Sequence, residues 1–112
     1  MRITTRKGGT LYLIIDLTDV DDEPYTLESG DKIRFGVRNV SGGNKLIYKE
    51  LTSSDEVDGK YPLKLTPENT NINPGRYLYD VSLQTSDGDL YDIVPADYFI
   101  VKDSVTFKGD SA

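Results

Sequence analysis

Apolar residues recur at every second position along most of this chain, and that period of two constrains the fold more than any other feature. A strand turns successive side chains to opposite faces, so the alternation builds half-buried β-strands rather than amphipathic helices. Across 31–38, Ile33, Phe35 and Val37 alternate with Lys32, Arg34, Gly36 and Arg38, which sets an apolar face against a basic stripe. Across 76–84, Tyr77, Tyr79, Val81 and Leu83 alternate with Leu78, Asp80, Ser82 and Gln84. Tyr61, Leu63 and Leu65 repeat the pattern, and Pro62 between them predicts a sheet edge, because proline donates no ladder hydrogen bond. Leu11, Leu13, Ile15 and Leu17 share a face, but Tyr12 and Ile14 make the other face apolar as well. That doubling predicts a central strand, or one covered on both sides. Segments 45–51, 90–94 and 98–102 complete the set.

Turn residues fall between these segments. Ser41-Gly42-Gly43-Asn44 and Asp87-Gly88 read as hairpin connections, and Ser29-Gly30, Asp58-Gly59 and Pro74-Gly75 as further corners. Only 66–72 suits a helix, as a single turn opened by Thr66 with Pro67 at its first position. About seven or eight short strands with regular turn signals predict an all-β antiparallel sandwich or barrel. The expected inner faces hold Leu13, Ile15, Ile33, Phe35, Val37, Leu63, Leu65, Tyr77, Tyr79, Val81, Leu83, Phe99 and Val101. No repeat or linker divides the 112 residues, so residues 1–112 are read as one domain. Its core is expected over 10–102, with 1–8 and 103–112 peripheral or frayed.

Composition narrows the chemistry. The chain has no His and no Cys, which removes a Ser-His-Asp triad, imidazole or thiolate metal ligands, a thiol nucleophile and disulfides. With 19 acidic and 13 basic residues, the net charge of −6 argues against nucleic acid as a partner, since neutralising phosphates needs a basic surplus. The longest apolar run, 11–15, is far too short to span a bilayer, and no hydrophobic signal region follows the basic first residues. Cytosolic synthesis is therefore expected, and no membrane partner.

The acidity is local. Seven acids and no base lie between Asp16 and Asp31; 19 acids less these seven leave 12 against 13 bases. Oxygen ligands in a loop suit Ca²⁺, which makes Asp19, Asp21, Asp22 and Glu23 the candidate cation ligands. The spacing is not that of an EF-hand, whose last ligand is a Glu where this chain has Gly30. A solvated loop that deters edge pairing is the plainer reading. A carboxylate pair for glycoside hydrolysis needs a cleft with a fixed separation, which a short chain with no Trp has little room to build. Tyr12, Tyr25, Tyr48 and Tyr91 are out of phase with the core and are candidates for a binding surface, although strand propensity also favours Tyr. Gly8-Gly9 precedes a strand, so it is no phosphate loop. Asn39-Val40-Ser41 matches a glycosylation sequon that the absence of an export signal leaves without meaning. No catalytic residue, cofactor or metal is assigned.

Two stretches carry a resemblance. Asn73-Pro74-Gly75-Arg76-Tyr77-Leu78-Tyr79 resembles the opening of the F strand in immunoglobulin-like domains, which implies an all-β, immunoglobulin-like antiparallel sandwich of about seven strands, with Tyr77 a corner tyrosine bonded to backbone around 65–71. Leu65-Thr66-Pro67-Glu68-Asn69-Thr70 followed by Pro74 to Asp80 looks like L-x-P-x-x-T…G-x-Y-x-Y-D, and Gly30 to Arg38 looks like G-D-x-I-x-F-x-V-[KR]. In that order the motifs are similar to small β-sandwich modules of phage and prophage tail and baseplate proteins from Gram-positive bacteria, above all the N-terminal module of baseplate upper proteins. The resemblance spans about Thr10 to Lys102. It implies a non-enzymatic structural or assembly module that docks other virion or prophage proteins, made in the host cytoplasm and then carried in the tail or baseplate. Self-association is a further expectation, with Lys32, Arg34 and Arg38 meeting the acidic 19–23 loop of another copy. The alternative is a carbohydrate- or Ca²⁺-dependent binding module.

Overall fold

The computed structural model describes residues 2–19 and 21–103. Seven strands run in the order β1 (Ile3–Arg6), β2 (Leu11–Ile15), β3 (Lys32–Asn39), β4 (Lys45–Leu51), β5 (Tyr61–Leu65), β6 (Gly75–Gln84) and β7 (Leu90–Lys102). One sheet has the order β1-β7-β6-β3-β4, and β2 pairs with β5 in a second, two-stranded sheet. A sheet built from the third, sixth and seventh strands facing the second and fifth is the connectivity of an immunoglobulin-like sandwich. The fold is therefore the all-β sandwich that the alternation predicts.

The core forms where the inward residues of both sheets meet. Ile33, Phe35 and Val37 from β3, Tyr77, Tyr79 and Val81 from β6, and Phe99 and Val101 from β7 pack against Tyr61, Leu63 and Leu65 from β5. Phe35, Tyr79 and Phe99 form an aromatic centre, with ring centroids 5.9 to 6.4 Å apart and two of the three pairs edge to face. The hydroxyl of buried Tyr61 accepts a hydrogen bond from the Leu27 N–H at 2.7 Å, which ties the loop before β3 to the second sheet. That loop also buries Leu17 and Leu27, and β4 buries Ile47 and Leu51. Leu13, Ile15 and Leu83, expected inside, are only partly buried against this cluster. The second sheet is two strands wide and covers its own flank incompletely.

Three expectations need correcting, and a fourth gains detail. First, β2 is neither central nor covered on both sides: its outward Tyr12 and Ile14 are 65% and 67% exposed. Second, residues 3–6 lie at the periphery, one of the two states expected of 1–8, and are ordered there because β1 ladders onto β7, with Ile3 opposite Phe99 and Thr5 opposite Val101. That pair is parallel, whereas the other described strand pairs are antiparallel. Third, 90–94 and 98–102 are one strand, which passes Pro95 by register shifts against β6. Fourth, the Tyr77 hydroxyl donates to the Asn73 carbonyl, closer along the chain than the expected 65–71.

Segment 66–72 makes a single turn, as expected, with bonds from the Thr70 N–H to the Thr66 carbonyl at 3.2 Å and from the Asn71 N–H to the Glu68 carbonyl at 3.3 Å, yet no helix is sustained there. Buried Thr70 donates its hydroxyl to the Gly9 carbonyl at 2.6 Å and so pins the turn to the start of β2. The helical element among the described residues is a 3-10 turn at Ser53–Asp55. The expected tail 104–112 lies outside the described residues.

Candidate functional site

The basic stripe of β3 lies on the outer face of the five-stranded sheet, where its cations are already engaged. Arg34 donates from Nε to the Tyr48 hydroxyl at 2.9 Å and from a terminal nitrogen to Gln84 Oε1 at 3.5 Å. The Tyr48 hydroxyl in turn donates to Glu50 Oε2 at 2.7 Å, and Lys32 Nζ lies 3.9 Å from Glu50 Oε1. Lys45 sits over the Tyr48 ring at 4.3 Å from its centroid, and Arg76 over Tyr98 at 5.4 Å. Burial and the neighbouring Glu50 push the Tyr48 hydroxyl above its ordinary pKa. The same hydrogen bond, with Lys32 and Arg34 behind it, holds the Glu50 carboxyl below the usual carboxylate range. Of the three predicted stripe residues, Arg38 alone stands at the far end of this face, opposite Leu78 and beside Lys45.

The acidic segment separates into two parts. Asp19 Oδ1 accepts from the backbone N–H groups of Asp21 at 2.8 Å and Glu23 at 3.1 Å, and Asp22 takes a positive φ of 61° in the resulting turn. Its carboxylate thus shapes its own loop, and among the described residues no three acids come together as a metal site. Asp31 is different. It is buried at 3% exposure, and its two oxygens accept from the Tyr25 hydroxyl, the Glu28 N–H and the Ser86 N–H. The sequence reading grouped it with the surface acids. Burial, then the adjacent Asp31, raises the Tyr25 hydroxyl above its ordinary pKa.

Two surfaces remain open to a partner. One is the outer face of the second sheet, where Tyr12 lies opposite Lys64 and Ile14 opposite Pro62. No other described strand pairs with β2 or β5, so each keeps one unpaired edge. The other is a cleft of about 740 Å³ at the end of the sandwich where β2 finishes and β6 turns into β7. Leu17, Leu83 and Ile93 supply apolar lining, Tyr25 and Tyr91 aromatic lining, and Asp16, Asp19 and Asp92 the charge; among the described residues no Lys or Arg lines it. Of the four tyrosines singled out in the sequence, Tyr12, Tyr48 and Tyr91 are exposed and Tyr25 is half-buried. The cleft was invisible to sequence reasoning because its walls come from three separated segments; Tyr25 and Tyr91 were its one legible signal.

Compared with known proteins, the chain matches no family model and no curated protein. Among solved structures it is similar to murine CRIg, with 14% sequence identity over 92% of each chain and a TM-score of 0.38. Sheet order and buried core identify the chain as an immunoglobulin-like β-sandwich.

Proposed function

We propose that this chain is a non-enzymatic docking module of a phage or prophage particle, a component of the tail or baseplate. The observation that carries the docking part is the second sheet: two strands, each with an unpaired edge, presenting Tyr12 and Ile14 outward. Unpaired N–H and C=O groups at a strand edge accept an added strand, and exposed side chains beside them supply selectivity. The phage part is supported by the two ordered motifs, Gly30 to Arg38 and Leu65 to Asp80. They fall on β3 and on the β5–β6 connection, the inner framework of the sandwich. The chain would be made in the bacterial cytoplasm and carried into the assembled particle.

Particles released from the source bacterium after prophage induction, purified and probed with an antibody against this chain, test the reading. Co-purification with tail proteins is expected, together with its loss in a Tyr12→Ser, Ile14→Thr double variant. Particles complete without the chain would refute it.

A further inference from the structure

The strand registers sort the charges by position along the molecule. Loops 16–31, 52–60 and 85–89 all lie at the end where β3 begins and β6 finishes, and they carry twelve acids and one base, Lys60. At the opposite end the same registers bring together Arg6, Lys7, Arg38, Lys45, Arg76 and Lys102, with Glu68, Asp103 and, close to Arg38 and Lys45, Asp80 as described carboxylates nearby. The thirteen residues of β7 span about 43 Å at roughly 3.3 Å per residue, so the longest of the molecular extents, 52 × 32 × 22 Å, runs along the strands. The molecule is a rod with an acidic pole and a basic pole.

We infer that copies of this chain associate head to tail, the acidic cleft of one receiving the basic end of the next. A two-fold contact joining the rods end to end would set like pole against like pole, so an end-on contact through the cleft brings the two charges together only head to tail. The cleft suits that partner. Its acids come from three segments, with Asp16 after β2, Asp19 in the loop and Asp92 on β7, and they surround apolar lining from Leu17, Leu83 and Ile93. Long Lys and Arg stems cover such a surface while their charged heads reach the carboxylates at its rim. Tyr25 and Tyr91 add aromatic rings against which a cation is attracted. Arg38, near the end of β3, and Lys102, at the end of β7, are exposed on the basic end, one on each side of β6. Because the contact leaves a cleft open at one end and a basic face at the other, it propagates into a ring or a filament.

The proposal deepens the docking reading by naming a second copy as a partner, and it rests on that reading. Sedimentation velocity of the full chain at millimolar concentration tests it at roughly 50 mM and 500 mM NaCl, between which the Debye length falls from about 14 Å to about 4 Å. Species larger than a dimer are expected at low salt and monomer at high salt. An Asp16→Asn, Asp92→Asn variant and an Arg38→Gln, Lys102→Gln variant should each be monomeric alone, with wild-type circular dichroism. Mixed in equal amounts they should form dimers and nothing larger, since one acidic cleft and one basic end remain intact. A wild type that stays monomeric at low salt overturns the proposal, as does a single variant that still forms large species. Either failure would leave docking to other particle proteins standing, because the particle co-purification reads that separately.

Discussion

Asp31 joins three parts of the chain through one carboxylate: the Tyr25 side chain, the Glu28 backbone and the Ser86 backbone in the β6–β7 turn. Removing it strands two backbone donors at a buried site, and each unsatisfied donor costs on the order of 1–3 kcal/mol. Asp31→Ala should therefore lower unfolding free energy by about 3 kcal/mol, with Asp31→Asn losing less because one acceptor oxygen remains. Urea unfolding followed by tyrosine fluorescence measures both. The neighbouring Gly30 is fixed by the same junction. It holds φ at +92°, and a Cβ there would lie 2.8 Å from the Ser86 Cβ. Gly30→Ala combines a disfavoured backbone with a contact that must open, so a loss of about 1–3 kcal/mol is expected in the same unfolding experiment. Gly42, with φ +98° and nothing within 4 Å, has only the backbone part of that cost and provides the control.

At the scale of elements, the outer surface of β3 and β4 behaves as a coupled polar array rather than a bare basic stripe. Glu50 binds the Tyr48 hydroxyl and sits near Lys32, and its carboxyl is held below the ordinary range. A carboxyl whose folded pKa is depressed adds stability above its unfolded value of about 4.3, and that stability disappears as pH falls through the folded value. Glu50→Gln should thus be less stable than wild type at neutral pH and match it in strong acid, as thermal melts across an acid series would show. The effect is small, since the pair is exposed and screened. The same strands show what the alternation made legible. Strands β3, β5 and β6 were readable because an inner apolar set alternates with polar residues. Strand β1 was not, because Ile3-Thr4-Thr5-Arg6 holds a single large apolar residue and owes its order to pairing with β7, which is distant in sequence. Pro95 and Ala96 looked like a break because nothing local shows that register shifts let one strand continue through them. In the 16–31 segment, seven acids look alike in sequence; the positions of Ser86 and Tyr25 in space single out Asp31. Leu27 escaped notice for a related reason, since it is buried from a loop that has no period.

Taken as a whole molecule, the rod has charge that is uneven along its length, and the two consequences of that distribution respond to salt in opposite directions. Between copies, salt screens attraction of unlike poles and dissociates the head-to-tail contact. Within one copy, it screens repulsion among the twelve acids that share the loops of one end with Lys60 as their only base. Those carboxylates are mostly exposed, and like charges within a Debye length of about 10 Å at 0.1 M salt destabilise the compact state. The unfolded chain spreads the same charges apart, so screening favours the folded form. For dilute protein, where every copy is a monomer, the melting temperature should rise as NaCl goes from roughly 50 to 500 mM, over which the Debye length shrinks about threefold. Replacing Asp21 and Asp22, whose exposed carboxylates carry no described hydrogen bond, with Asn should raise the melting temperature at low salt and flatten its salt dependence. A protein stabilised mainly by attractive ion pairs would show the reverse slope. The sign of that slope therefore reports whether the acidic end is a strained charge cluster, and a strained cluster is what a cationic partner at the cleft would relieve.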